Sequence, residues 1–237
     1  MTTPRISACV FDAYGTLFDV HSAVARHAAA LGKHSSEISM LWRTKQLEYS
    51  WVHSLMRRHV DFWELTGAAL DYALAFHNVK DDQLQRALLE SYLALDAYPE
   101  VTAVLLSLRE AGIRTAILSN GSPSMLDSAV RSAGLGHLID ECLSIERIRI
   151  YKPDPAAYEV ARSALDVSAA NDVAFFSSNA WDAIGAHTFG FRTFWLNRSN
   201  QPEEYELNDK ATVLKSLSSV VELVKSPVAI QPAVGRQ

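Results

Sequence analysis

The chain has 237 residues, a length that suits one α/β domain or a core domain with a smaller additional domain. Its 22 Lys and Arg residues and 27 Asp and Glu residues give a net charge of −5. This acidic balance gives no electrostatic reason to bind nucleic acid or an anionic membrane, so we expect neither partner. No window approaches the roughly 20 apolar residues of a membrane span. The N-terminus lacks a signal-peptide pattern, which predicts a cytoplasmic protein.

The cysteines and histidines give no sign of a disulfide framework or a metal site. Two cysteines, Cys9 and Cys142, are too few for a disulfide framework or a structural zinc site. Cys9 lies within an apolar run and is interpreted as a buried, inert thiol. The eight histidines are scattered without metal-ligand spacing, so we assign them no role and predict neither a metal nor a cofactor.

The first predicted elements are one strand and then only helices. Ile6–Asp12 is an apolar run with β-branched residues that ends before Gly15, a pattern typical of a buried strand. The next stretch has helical periodicity and no convincing strand. Its predicted helices are His21–Leu31, Glu37–Arg58, Asp61–His77 and Asp81–Leu95.

Beyond this stretch the pattern alternates. A helix begins at Pro99 and ends at Gly112, with proline at its start and glycine just past its end. Strands that alternate with helices predict a parallel sheet covered on both faces. The later predicted strands are Ile113–Ser119, Glu141–Ile145, Asp172–Ser177 and Phe191–Leu196. The later predicted helices are Ser124–Ser132, Pro155–Leu165, Ala180–Thr188 and Thr212–Val224.

This order predicts an α/β fold: a Rossmann-like doubly wound parallel sheet core with a helical cap domain inserted after the first strand. Residues 1–18 and 97–225 would form the core, and residues 19–96 the cap. Residues 226–237 carry two prolines and no periodicity, which predicts a flexible tail. Ligands of such sheets bind beyond the carboxyl ends of the strands, so an insertion after the first strand would cover that edge as a lid.

Polar side chains follow several of the predicted strands. Asp12 ends the first strand, and Ser119 and Asn120 end the second. Lys152 lies in the loop before a later helix, and Asp182 follows the strand after that helix. Because the carboxyl ends of parallel strands lie at one edge of the sheet, we expect these groups to converge.

A resemblance to a known family is carried by four short segments that appear in order at strand ends. They are VFDAYGT, ILSNG, YKPDP and FFSSNAWD, and together they resemble the haloacid dehalogenase superfamily across essentially the whole chain. The segments SSNAWD and LWRTKQLEYSW are similar to the L-2-haloacid dehalogenase branch in particular. That branch usually has Gln directly after its cap arginine, whereas Thr44 follows Arg43 here, which leaves the preferred substrate chain length open.

Two departures separate this chain from the superfamily's phosphatases. The phosphatases have a second Asp two residues after the nucleophile that protonates the leaving alkoxide, and Tyr14 stands at that position. Halide is the anion of a strong acid and needs no proton. The phosphatases also use an acidic pair to hold Mg²⁺, whereas Ser177, Ser178 and Asn179 are neutral and leave only Asp182. Both departures predict a metal-independent reaction.

The resemblance therefore implies an (S)-2-haloacid dehalogenase acting on small L-2-haloalkanoic acids such as haloacetates and 2-halopropionate. The Asp12 carboxylate would displace halide and form an aspartyl ester, and water would then release a 2-hydroxy acid of inverted configuration. The expected partners are the halogenated acid and the halide. Resemblance to the family also predicts a homodimer formed through cap helices.

The resemblance also implies a role for each residue of the site. Arg43, helped by Asn120, would receive the departing halide. Lys152 would keep Asp12 ionised and stabilise charge during ester hydrolysis, and Asp182 would orient or activate the water. Asp182 would be positioned by Ser177, Asn179 and Lys152. The substrate carboxylate would be bound by Ser119 and by backbone amides near Ala13, Tyr14 and Asn120. Thr16 and Tyr158 would support the geometry of the site, and the pocket would be lined by Tyr14, Leu47, Phe62 and Trp181.

Other interpretations stay open at this point. The main alternative is a metal-dependent phosphatase or phosphonate hydrolase of the same superfamily, and the third is a non-catalytic binding protein. Taken alone, Arg43 fits a solvated helix face, and Asp182 fits a first-turn carboxylate favoured by the helix dipole. The preferred halogen, including fluoride, and the physiological substrate are not fixed by the sequence.

Overall fold

A six-stranded sheet forms the centre of the computed structural model, which describes residues 6–225. Its strands are β1 (Ala8–Phe11), β2 (Arg114–Ser119), β3 (Glu141–Ser144), β4 (Val173–Ser177), β5 (Arg192–Leu196) and β6 (Thr212–Leu214). Their order is β3-β2-β1-β4-β5-β6, and every neighbouring pair is parallel. The chain moves outward from β1 to β3 on one side and from β4 to β6 on the other. This confirms the predicted doubly wound α/β fold.

Five α-helices lie between β1 and the first helix of the alternating region, and they form the helical cap. They are α1 (Ser22–Ala25), α2 (Ala28–Leu31), α3 (Ser35–Leu55), α4 (Phe62–Phe76) and α5 (Asp82–Tyr92). The other α-helices described are α6 (Val101–Glu110), α7 (Pro123–Ser132), α8 (Pro155–Ala164), α9 (Ala180–Phe189), α10 (Leu207–Lys210) and α11 (Val220–Lys225). Short 3₁₀ helices cover Gly32–His34, Ile145–Ile148, Ala170–Asp172 and Leu217–Ser219.

The chain leaves the sheet for the cap and returns at adjacent points. Phe18 and Ala97 form an isolated antiparallel bridge. The amide of Asp19 donates to the carbonyl of Asp96 at 2.8 Å. These contacts lie at the predicted boundaries between the core (residues 1–18 and 97–225) and the cap (residues 19–96). We therefore keep those domain boundaries as a proposal.

A row of aromatic rings runs across the middle of the sheet. Phe11 of β1 stacks on Phe176 of β4 with ring centroids 4.9 Å apart, and Phe176 stacks on Phe194 of β5 at 4.6 Å. Every residue of β1 and β4 is buried. Strands covered by helices on both faces have this continuous apolar character, so the packing fixes the two strand ends that carry the site.

Aspartate caps begin several helices and explain why the predicted starts are close to the observed ones. Asp61 accepts a hydrogen bond from the amide of Trp63 at the start of α4. Asp81 accepts from two amides at the start of α5. Asp154 caps α8, which has Pro155 as its first residue. Such caps satisfy amides that have no partner within the helix.

The predicted helix over Thr212–Val224 is wrong. Its first residues form the edge strand β6, with Thr212 paired to Phe194 of β5. Ser216 then accepts a hydrogen bond from the amide of Ser218 and begins a 3₁₀ turn, and only Val220–Lys225 is α-helical. Thr212 and Val213 are β-branched, and pairing with β5 decides their conformation, which a helical period cannot reveal.

The predicted helix His21–Leu31 is divided into α1 and α2. Arg26 and His27 interrupt it, and each contacts a residue at the far end of the cap. Arg26 forms an ion pair with Asp96, and His27 Nε2 lies 2.8 Å from Ser91 Oγ. These tertiary contacts outweigh the local preference of an alanine-rich segment for one continuous helix.

None of the helices within residues 6–225 has the length and hydropathy needed to span a bilayer. The flexible tail predicted at residues 226–237 lies outside the described residues.

Candidate active site

The carboxylate of Asp12 lies at the centre of the site, directly after β1, and is almost fully buried. Lys152 Nζ donates to its Oδ1 at 3.1 Å. Its Oδ2 accepts from Thr16 Oγ1 at 3.0 Å and from Asn179 Nδ2 at 2.8 Å. Three donors thus stabilise the negative charge on Asp12 and fix the orientation of its carboxylate.

The ammonium group of Lys152 bridges two carboxylates in the interior. Its Nζ lies 3.1 Å from Asp12 Oδ1 and 3.0 Å from Asp182 Oδ2, and its side chain has no exposed surface. Burial alone would lower the pKa of Lys152, but the charges of Asp12 and Asp182 outweigh burial and raise that pKa above its ordinary value. Lys152 is therefore a fixed positive charge.

Asp182 is held by Lys152 and by Tyr158, whose hydroxyl donates to Oδ1 at 2.8 Å. Burial raises the pKa of Asp182 to about 6, although Lys152 opposes the shift. Asn179 contacts Asp182 through its backbone and not through its side chain, and Ser177 contacts Asn179 instead of Asp182. The amide of Asp182 donates to the Asn179 carbonyl at 3.0 Å, and Ser177 Oγ accepts from the Asn179 amide at 3.2 Å.

Arg43 projects from cap helix α3 to the edge of the sheet. Its Nη2 donates to the carbonyl of Tyr14 at 3.1 Å and approaches Asn179 Oδ1 at 3.4 Å. Its Nη1 donates to Gln46 Oε1 at 2.7 Å, and Gln46 also accepts from Tyr92 OH at 3.1 Å. Arg43 is thus a cation held in place by cap and core together.

A small cavity between cap and core joins these groups. The volume that the centre of a water molecule can occupy is about 10 Å³, so the cavity has room for about one water molecule. The cap supplies one cation and two apolar walls, and the core supplies the carboxylate and hydrogen-bonding groups. The lining residues are Asp12, Tyr14, Arg43, Leu47, Phe62, Ser119, Asn120 and Trp181. All eight were singled out from the sequence.

Two of the lining residues keep a donor available for an anion. The Asn120 side-chain carbonyl accepts from the amide of Lys152 at 3.0 Å, which leaves its NH₂ group to donate. Ser119 Oγ accepts from the amide of Gly121 at 3.0 Å, and its hydroxyl proton stays free to donate. Ala13, which was predicted to bind the substrate together with Tyr14 and Asn120, is buried but does not line the cavity, whereas those two residues do.

Comparison with known proteins agrees with this geometry. The sequence profile of a hydrolase family, haloacid dehalogenase-like hydrolase, matches residues 6–190. The chain belongs to this family. Within the family it is similar to (S)-2-haloacid dehalogenase 1 of Pseudomonas sp. (strain CBS-3), with 49% identity over 92% of this chain and 96% of that protein. It is 46% identical to (S)-2-haloacid dehalogenase 4A of Burkholderia cepacia over 94% of this chain and 96% of that one.

The fold is likewise similar to solved structures of the family. The L-2-haloacid dehalogenase from Xanthobacter autotrophicus, solved with chloropropionic acid covalently bound, superimposes with a TM-score of 0.85. The two proteins are 34% identical, and the match covers 94% of this chain and all of the other. These findings confirm the resemblance to the L-2-haloacid dehalogenase branch.

The atoms around Asp12 do not suit the Mg²⁺ ion of the family's phosphatases. Asn179 Nδ2 donates to both Asp12 Oδ2 and the carbonyl oxygen of Tyr14, at 2.8 and 3.2 Å. A hard cation needs oxygen ligands, but an amide NH₂ group lies between these two oxygens. The Lys152 ammonium lies between Asp12 and Asp182.

Sequence reasoning gave Ser178 and Gln46 no role, although both hold a residue of the site. Ser178 donates its amide to Thr16 Oγ1 at 2.9 Å, and thereby orients the hydroxyl that bonds Asp12. Gln46 is buried and accepts from Arg43. A signal existed for Gln46, because residues three apart lie on one helix face. Thr44, the noted departure, is exposed and bonds within its own helix.

Two glycines make room for aromatic side chains of the site. A Cβ at Gly185 of α9 would collide with the hydroxyl of Tyr158 and lie 2.7 Å from Pro153 Cβ. A Cβ at Gly121 would lie 2.7 Å from the ring of Tyr14. Such positions carry no periodic signal in the sequence, because the requirement comes from a neighbour distant along the chain.

Replacing Gly185 by Ala should lower melting temperature and turnover, because the new methyl group displaces Tyr158 from Asp182. Loss of a hydrogen bond to a charged group costs about 1.5–3 kcal/mol, so we expect kcat for dehalogenation to fall about 10- to 100-fold. The matched control is Gly67→Ala in α4, where an added Cβ meets nothing within 4 Å. It should keep full kcat and gain stability. Equal kcat in both variants would contradict the positioning role.

Proposed function

We propose that the chain is an (S)-2-haloacid dehalogenase that uses Asp12 as a covalent nucleophile on small L-2-haloalkanoic acids. One observation carries the proposal: a carboxylate fixed by Lys152 faces a small cavity, and the cap places the cation Arg43 on the side of that cavity facing the carboxylate's sheet edge. The names of its relatives and the covalently bound chloropropionic acid in the Xanthobacter autotrophicus structure support it.

In the first step a carboxylate oxygen of Asp12 attacks carbon 2 of the substrate from the side opposite the halogen. The carbon–halogen bond breaks, its electron pair leaves with the halide, and an aspartyl ester remains. Arg43 and the NH₂ group of Asn120 receive the halide. Ser119 and the amides near Ala13, Tyr14 and Asn120 hold the substrate carboxylate.

In the second step water attacks the carboxyl carbon of the Asp12 ester. Asp182, with a pKa of about 6, is mostly ionised at neutral pH and takes the proton of the water. Lys152 contacts both carboxylates, so it orients Asp182 and stabilises the oxyanion that forms on Asp12. The bond between carbon 2 and its new oxygen stays intact. The bond between the acyl carbon of Asp12 and that oxygen breaks, and protonated Asp182 returns its proton to the departing oxygen, which releases the 2-hydroxy acid. The regenerated carboxyl group of Asp12 then loses its proton to water.

Tyr14 favours a halide leaving group over an alkoxide. Its ring stacks on Tyr92 with centroids 5.7 Å apart. Burial, with a smaller contribution from Tyr92, raises the pKa of Tyr14 well above its ordinary value. A phenol with such a pKa is a poor acid for an alkoxide, whereas halide needs none. This observation weighs against the phosphatase alternative.

A homodimer through the cap is part of the same proposal. Tyr72 and Phe76 of α4 are exposed, and their rings stack with centroids 6.3 Å apart. Val52 and Leu55 of α3 are exposed as well. Large exposed apolar side chains commonly mark association surfaces. Light scattering on the purified chain measures whether it is a monomer or a dimer.

The expected cytoplasmic location and the absence of a nucleic-acid partner stay predictions.

The decisive experiment measures chloride release from L-2-chloropropionate with and without exhaustive EDTA treatment. We expect equal rates, and a product of D configuration, because one backside displacement inverts carbon 2 and ester hydrolysis leaves it untouched. Asp12→Asn serves as the inactive control. Activity that EDTA abolishes and Mg²⁺ restores would favour a metal-dependent hydrolase instead. Retained configuration would contradict the displacement.

Replacing Arg43 by Ala should lower kcat by about 10²–10³, because the halide loses its charged acceptor in the transition state. Arg43→Lys should recover only part of the rate, since an ammonium lacks the planar donor fork. Arg58→Ala, at an exposed position just after α3, is the control and should leave kcat unchanged. Melting curves show whether each variant is folded, and a folded Arg43→Ala variant with near-native kcat would mean that this cation is only structural.

A single turnover in H₂¹⁸O, with enzyme in excess, distinguishes covalent catalysis from general-base catalysis. If Asp12 is the nucleophile, the product hydroxyl oxygen comes from its side chain, and the label enters Asp12. Mass spectrometry of the peptide that contains Asp12 should detect this label, while the first-turnover product stays mostly unlabelled. Label found only in the product would show that Asp12 activates water instead.

A further inference from the structure

Two histidines and a glutamate, residue types that can ligate a metal ion, lie together on the cap, and none of them lines the cavity at Asp12. His34 ends the 3₁₀ turn before α3, Glu37 lies in the first turn of α3, and His77 directly follows α4. His34 Nδ1 is 2.9 Å from Glu37 Oε2, and His77 Nδ1 is 3.6 Å from the same oxygen. One ligand atom from each residue lies within 4.8 Å of the other two.

The two separations that involve Glu37 are close to those between neighbouring ligands of a tetrahedral metal centre, and the two imidazoles offer ligand nitrogens within 4.8 Å of each other. Zinc binds imidazole nitrogen and carboxylate oxygen at about 2.0–2.2 Å, so neighbouring ligand atoms are about 3.3 Å apart. The two distances to Glu37 Oε2, 2.9 and 3.6 Å, lie on either side of that value. The His34 and Glu37 side chains are 39% and 59% exposed, so small rotations can close the remaining difference.

The second imidazole is the unusual feature. A hydrogen-bonded His34–Glu37 pair on the first turn of a helix is an ordinary surface ion pair. His77 comes from another helix, and its ring centroid lies 5.0 Å from that of His34. The 3.6 Å between His77 Nδ1 and Glu37 Oε2 is too long for a hydrogen bond. Two imidazoles therefore face one carboxylate oxygen without both being bonded to it.

We propose that His34, Glu37 and His77 form a binding site for a divalent transition-metal ion such as Zn²⁺, with water as the fourth ligand. Two imidazoles and one carboxylate favour zinc, cobalt or nickel over Mg²⁺ and Ca²⁺, which prefer oxygen-rich sites. The ion joins the start of α3 to the end of α4. It stabilises the cap and takes no part in dehalogenation.

The test uses the full chain without a histidine tag, freed of metal by EDTA and dialysis. Isothermal titration with Zn²⁺ should show one binding site, and Mg²⁺ should show none. Zn²⁺ at about 100 times its Kd should raise the melting temperature by about 5 °C or more. Co²⁺ should produce the visible absorption of a tetrahedral complex. Absence of zinc binding, or an octahedral Co²⁺ spectrum only, would overturn the proposal.

Matched variants identify the ligands. His77→Ala and Glu37→Gln should each lower zinc affinity at least about tenfold and remove the cobalt spectrum. His137→Ala, at an exposed position of the α/β core domain, should change neither the zinc affinity nor the cobalt spectrum. Chloride release should be the same for the wild-type chain and His77→Ala, since this metal is remote from Asp12. Unchanged affinity in His77→Ala, or an equal loss in His137→Ala, would place the zinc elsewhere and overturn the assignment.

Discussion

The ion triad of Asp12, Lys152 and Asp182 is the constraint on which the rest of the structure depends. An ammonium group in the interior is tolerated only when carboxylates compensate its charge, and removing one partner of a buried pair costs about 3–5 kcal/mol. The three residues come from different segments of the chain and meet beyond the carboxyl end of the sheet. Asp12 and Asp182 follow the neighbouring strands β1 and β4, and Lys152 reaches them from the segment between β3 and α8.

The same triad explains how two carboxylates act differently in one site. Asp12 receives three donors and faces the cavity. Asp182 has no exposed surface and shares its oxygens between Lys152 and Tyr158. Burial therefore dominates the pKa of Asp182. In the proposed mechanism, one lysine thus supports a nucleophile on one side and a proton acceptor on the other.

The sheet and the polar groups at its edge were predictable because they follow from short-range patterns. Apolar strands ending in polar residues predicted that Asp12, Ser119 and Asn120 would converge, whereas the resemblance to the haloacid dehalogenase superfamily supplied the other residues that line the cavity. What could not be predicted depends on contacts between distant segments. Strand β6 exists because β5 offers it a partner. His34 and His77, which were given no role, approach each other only because α3 packs on α4. Gly185 matters only because Tyr158 lies above it.

The close contact of Tyr14 with Gly121 has an evolutionary consequence. The Tyr14 ring occupies the space above Gly121 and stacks on Tyr92. An aspartate at position 14, as in the family's phosphatases, would leave that space empty and place an additional carboxylate beside a buried phenol. The amide of Asn179 would still stand where a metal ligand is needed. A change between the two chemistries therefore requires more than the substitution Tyr14→Asp, which by itself removes the packing on Gly121 and Tyr92 and leaves the amide of Asn179 in place.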